Sequence, residues 1–154
     1  MGWKMNPGEC FSHWKNIREG LIETIYKFKE AELDYLPFDG SRAVGDMMLH
    51  IADAEDGWFR FVVTRELDDW PTQYTLANFP TRDTILGALD EVHDRTERYL
   101  DSLSTADLEK IIETPWGEQI SLRWIIWHIL EHEVHHRGEL SLVLGLLGRE
   151  GLDV

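Results

Sequence analysis

Four of the chain's seven histidines crowd into Trp127-His128-Ile129-Leu130-Glu131-His132-Glu133-Val134-His135-His136-Arg137-Gly138-Glu139. On a helix, where each residue turns about 100°, His132 and His136 fall about 40° apart. They lie inside the arc that Ile125, Ile129, Val143 and Leu147 also occupy, whereas His128 and His135 flank it near its polar border. An i, i+4 pair of imidazoles is the spacing by which one helix gives two ligands to one metal ion. A single inward histidine is ordinarily a hydrogen-bonded core residue. Two stacked in an apolar arc need partners that such a core does not supply.

A catalytic metal of the zinc type usually keeps three protein ligands and one open position. His50, between Met47 and Ala54 on a second apolar stripe, is the natural third. His93, at the edge of a third stripe, competes with it, and helical phase does not choose between them; His13 lies off its stripe. The run from His132 to His136 also reads as H-E-x-x-H, in which Glu133 would be the general base of a zinc hydrolase or protease. It lacks the downstream H-x-x-G-x-x-H extension that would strengthen that reading. Asp53, one turn from His50, and Glu139, one turn from His135, are placed to orient a ring N–H. Spacing assigns no catalytic residue beyond the ligands.

Positioning these residues requires four amphipathic helices. Trp14, Ile17, Leu21, Ile25 and Phe28 recur at three- and four-residue steps and predict a first helix from Gly8 to about Asp34. The second follows a Pro37-Gly40-Ser41 turn, with Met47, Ile51, Ala54, Trp58 and Phe61 on its stripe to about Glu66. Thr81 caps a third, carrying Ile85, Leu89, Val92, Tyr99 and Leu103, and the fourth runs from Ser121 to Leu147 with Gly148 as its stop. The pattern predicts a short helical turn over Ser104 to Ile112, turn chemistry over Thr114 to Glu118, and no strands. The expected fold is an all-α four-helix bundle in one domain, residues 1–154, with long connections between helices two and three and between helices three and four.

Composition narrows the partners. Hydrophobic residues make up 43% and aromatics 11%, enough for a packed core. With 15 Lys and Arg against 29 Asp and Glu, the formal charge is -14, a field that repels nucleic acid and anionic membranes. Cys10 is the sole cysteine, Met1 to Phe11 does not read as a secretory signal, and no apolar stretch is long enough to span a bilayer. A cytoplasmic location is expected.

Met48-Leu49-His50-Ile51-Ala52-Asp53-Ala54-Glu55-Asp56-Gly57-Trp58 and the His128 to Leu140 segment resemble the two signature helices of the DinB/YfiT-like family of damage-inducible metalloenzymes, over essentially the whole chain. The resemblance implies an up-down-down-up bundle and one divalent metal ion, zinc or nickel, held by His50, His132 and His136. It implies a metal-dependent enzyme of stress response or detoxification. The implied reaction is transfer of a low-molecular-weight thiol to a small electrophile. A non-catalytic dimeric metal-binding or stress protein is the alternative. Homodimers are frequent among relatives, many of which carry Gln where this chain has Glu139. Trp14, Trp58, Trp124 and Trp127 are candidates to line the substrate pocket.

Overall fold

Asn6 opens the described part of the computed structural model, residues 6–154; the share of the signal-peptide expectation that rests on residues 1–5 lies outside it. The Asn6 side chain accepts from the Glu9 amide at 2.8 Å and caps a short helix, α1 (Pro7–Cys10). A turn at Phe11 then leads into α2 (Trp14–Tyr26). The single long first helix expected from periodicity is thus broken twice. Phe11 turns inward at one break, and beyond Tyr26 the Lys27 and Phe28 carbonyls are taken by Arg149 and Arg82 instead of a further helical turn. A single 3₁₀ turn, Glu30–Glu32, follows.

The second helix, α3 (Val44–Asp56), runs on as a π-helical segment, Gly57–Val63. Its N-cap position is held by Ala43, which offers no capping side chain, and the Ser41 hydroxyl lies in the preceding turn, where it accepts from the Phe38 amide at 3.4 Å. Thr81 caps α4 (Arg82–Ser102) as expected, a 3₁₀ turn spans Thr105–Glu109, and Ser121 caps α5 (Leu122–Leu146), which Gly148 ends at φ +78°. One expectation is corrected. β1 (Ile111–Glu113) and β2 (Gln119–Ser121) pair antiparallel, Ile112 opposite Ile120, around a turn closed by the Thr114 amide on the Glu118 carbonyl. Three-residue strands are too short to leave an alternation in the sequence.

The chain is a four-helix bundle of mostly helical residues. α3 packs on α4 and α5, and α2 packs on the same two helices from the other side. Contacts between α2 and α5 advance together, Trp14 to Glu133 and Ile17 to Arg137, whereas α3 meets α5 in opposite order, His50 to His132 and Trp58 to Trp124. Two apolar clusters fill the interior. One holds Leu21, Met48, Ile51, Leu89 and Leu144, the other Trp14, Phe59, Leu100, Ile125 and Ile129. Arg18, Glu55, His93 and Glu133, all buried, form a polar layer between them. No described helix is long and apolar enough to cross a membrane.

Candidate metal centre

The α3–α5 interface brings His50, His132 and His136 together. His132 Nε2 lies 3.1 Å from His50 Nε2 and 3.1 Å from His136 Nε2, and one nitrogen from each ring falls within 4.8 Å of the other two. Metal–nitrogen bonds of about 2.0–2.1 Å in a tetrahedral site require nitrogens about 3.3 Å apart, so the spacing suits one ion.

Tautomers strengthen the fit. His50 Nδ1 donates to Asp53 Oδ2 at 2.8 Å and His136 Nδ1 donates to Glu139 Oε2 at 2.9 Å. With both rings neutral, each then presents a bare Nε2 lone pair to the centre. A proton on His132 Nε2 satisfies only one of them. Nor is a further proton welcome: burial first, then the neighbouring His136, His50 and His128 rings, push His132 down to about 3. Burial also lowers His136, against the pull of Glu139. Converging lone pairs without protons are the donor set that a divalent cation satisfies.

Both orienting carboxylates are themselves held. Asp53 Oδ1 accepts from Trp70 Nε1 at 3.1 Å. Trp70 lies so close over Gly57 that a Cβ there would stand 2.5 Å from its ring; the glycine is what lets the 64–80 connection reach the centre. Glu139 shares its other oxygen with exposed His135, 2.9 Å away. The sequence placed Glu139 against His135; the structure adds His136.

Glu133 is not a base for this site. Its carboxylate is 1% exposed and taken up by α2, accepting from Arg18 at 2.9 Å and from Trp14 Nε1 at 2.7 Å. The H-E-x-x-H reading fails on that geometry, because its general base must face the metal. His93 is also elsewhere: its Nδ1 donates to Glu55 Oε1 at 2.8 Å, and Arg18 donates to Glu55 at 2.5 Å. His13 is exposed beside Asn16, and His128 stacks on Trp124 with centroids 4.7 Å apart.

Beside His136 opens a cleft of about 680 Å3, walled by Phe38, Met47, Leu142, Val143 and Leu146, with Ser41, Arg42 and Glu139 as its polar members. The tryptophans expected to line a pocket do not line this one. Trp14 is core, Trp127 sits edge-on to Phe11, and Trp58 is the hub of an aromatic group with Trp70, Trp116, Trp124 and His128. Met47, His136 and Val143 lie on the predicted stripes, whereas Phe38, Ser41 and Arg42 come from a loop and Leu142 and Leu146 from an exposed face of α5, where apolar residues carry no periodic signal.

Fold and centre together define a helical bundle with an inward three-histidine cluster that can hold a metal ion. The chain belongs to the DinB superfamily, whose family model matches residues 13–140. It is 27% identical over 132 residues to the uncharacterized protein YizA of Bacillus subtilis, covering 84% of this chain and 80% of that one. Among solved structures, a DinB-like protein from Bacillus cereus superposes with a TM-score of 0.78 at 16% identity over 99% of both chains. YfiT from Bacillus subtilis, described as a probable metal-dependent hydrolase with an unusual four-helix bundle topology, superposes with a TM-score of 0.61 at 20% identity, over 94% of this chain and 93% of its own.

Proposed function

We propose that the protein is a metal-dependent enzyme in which His50, His132 and His136 hold one divalent ion, zinc or nickel, and that it transfers a low-molecular-weight thiol to a small electrophile. The observation that carries the metal is the convergence of three Nε2 atoms, two of them fixed as acceptors by Asp53 and Glu139. A divalent ion bound there supplies Lewis acidity, lowering the pKa of a thiol or water that it coordinates.

What surrounds the trio favours a thiol over water. Hydrolysis ordinarily needs a general acid to protonate the leaving group. Asp53 and Glu139 are committed to ring nitrogens, and Glu133 faces Arg18. A coordinated thiol loses its proton without such a group. Hydrolysis is the second reading, favoured by the description of YfiT. On either reading the chain's own residues orient the imidazoles and hold the substrate in the cleft beside His136. A dimer in solution is expected on the same grounds of kinship.

Cobalt-loaded protein provides the test. Adding glutathione or coenzyme A should produce a thiolate-to-cobalt charge-transfer band, and thiol should be consumed with a model electrophile by wild type but not by His50→Ala. Metal-dependent cleavage of model esters or amides without a thiol band would replace transfer by hydrolysis. Bound metal with neither activity leaves the non-catalytic metal protein.

A further inference from the structure

The chain has ten arginines. Nine donate to a carboxylate or a backbone carbonyl: Arg18 to Glu55 and Glu133, Arg60 and Arg95 to Asp56, Arg98 to Asp94, Arg123 to Glu109, Arg149 to Glu32, and Arg65, Arg82 and Arg137 to carbonyls. Arg42 makes no hydrogen bond or ion pair with any described residue. In a chain carrying 29 acidic side chains, an arginine without a protein partner is the exception, and this one lines the cleft that begins at His136. Facing it are Met47 and Val143, both buried, and Phe38, Leu142 and Leu146, which are 69%, 68% and 61% exposed.

We propose that this cleft is the substrate site and that it takes a small, largely apolar molecule bearing one carboxylate, with Arg42 holding the carboxylate and the aliphatic wall holding the body alongside His136. The proposal rests on the metal-dependent reading for its reaction, but not for its binding. Its volume lies in the range of small-molecule sites, which are mostly apolar with a few placed polar groups. A guanidinium pairs with a carboxylate through two parallel N–H donors, a geometry that a lone exposed cation otherwise leaves unused. The charge of the ligand is set by its surroundings. Among the described residues Arg42 is the only Lys or Arg lining the cleft, Glu139 is also there, and the whole chain is strongly acidic. One positive group balances a monoanion; a phosphate dianion would leave charge uncompensated. The exposed leucines need cover too, since contiguous apolar surface of this kind marks a binding site.

The experiment uses the full chain loaded with zinc and octanoate as the probe, followed by calorimetry, with 1-octanol and octyl phosphate as controls. Octanoate should bind one to one, and 1-octanol at least tenfold more weakly. Arg42→Gln should lose at least tenfold in octanoate affinity and Arg42→Lys should fall between, with melting temperature and metal content unchanged in both. Leu142→Glu, on an exposed wall position, should weaken octanoate binding independently. Equal affinity in wild type and Arg42→Gln, no saturable binding, or tighter binding of octyl phosphate overturns the proposal. Metal content is read separately. A chain that takes up no zinc yet binds octanoate through Arg42 keeps the cleft assignment and discards the metal reading; a zinc-loaded chain indifferent to octanoate does the reverse.

Discussion

His50 and His132 face each other through Nε2 atoms 3.1 Å apart across the α3–α5 interface, one residue from the helix that follows the Pro37–Ser41 turn and one from the last helix of the chain. Because the two rings come from different helices, an ion between them links α3 to α5. Protein purified without chelator or nickel resin should carry about one equivalent of divalent metal, and His132→Ala less than a tenth of that by elemental analysis. Chelation of wild type should lower its melting temperature, because binding to the folded state alone stabilises it. A melting temperature that chelation leaves unmoved, with full metal retained in His132→Ala, would refute the three-histidine assignment.

The carboxylates behind the rings give a graded effect. Asp53 holds His50 Nδ1 and Glu139 holds His136 Nδ1, and loss of such a partner typically costs 10–100-fold in metal affinity. Asp53→Asn and Glu139→Gln should each weaken zinc by about that factor in a competition titration with a chromophoric chelator. Glu139→Gln keeps an acceptor oxygen for the ring N–H but loses its charge, so its deficit should be smaller than that of Glu139→Ala. Equal affinity in all the variants would mean that the rings are held by packing alone.

The sequence exposed the centre unevenly, for physical reasons. His132 and His136 are legible because i, i+4 spacing on one helix is a local fact. His50 against His93 is not, since both lie on buried arcs and only the way α3 and α4 pack decides which ring meets α5. His93 was claimed by Glu55, an acidic residue that periodicity counts as solvent-facing. Arg18 and Glu133 were hidden in the same way: each offsets the other's burial across α2 and α5, and pairwise compensation leaves no mark in a single-chain pattern. The helices were legible through their stripes, the cap at Thr81 and the stop at Gly148. The short hairpin and the break at Phe11 depend on contacts distant in sequence.

Arg18 is the centre of the buried layer, 5% exposed and bonded to Glu55, Glu133 and the Leu89 carbonyl. Removing one member of a buried ion cluster leaves the others uncompensated and typically costs about 3–5 kcal/mol. Arg18→Met should lose stability on that scale in urea denaturation. The simultaneous change of Arg18, Glu55 and Glu133 to Met, Gln and Gln should lose less than the sum of the three single changes, because no bare charge is left behind. Additive losses would show that the three residues act separately. Metal affinity is expected to change little in Glu133→Gln, which distinguishes this layer, shared by α5 with α2, from the histidine centre that α5 shares with α3.

Acid should weaken the fold through Glu55 in a defined window. Burial alone would raise its pKa, but Arg18 and then His93 hold it at about 2, below the ordinary carboxylate value of 4.5. A carboxylate depressed in the folded state binds fewer protons there than in the unfolded chain, so the stability it contributes is fully present above about pH 4.5. It is lost as pH falls towards about 2. A shift of this size corresponds to stabilisation on the order of 3 kcal/mol. Glu55→Gln removes the titrating group while leaving the metal ligands of both proteins to titrate alike, so the comparison isolates Glu55. The gap in unfolding free energy between wild type and Glu55→Gln should be flat from pH 7 to about 5 and narrow steadily below 4.5. A gap independent of pH down to 3 would mean that Glu55 binds its proton equally well folded and unfolded, so that Arg18 and His93 only offset the effect of burial.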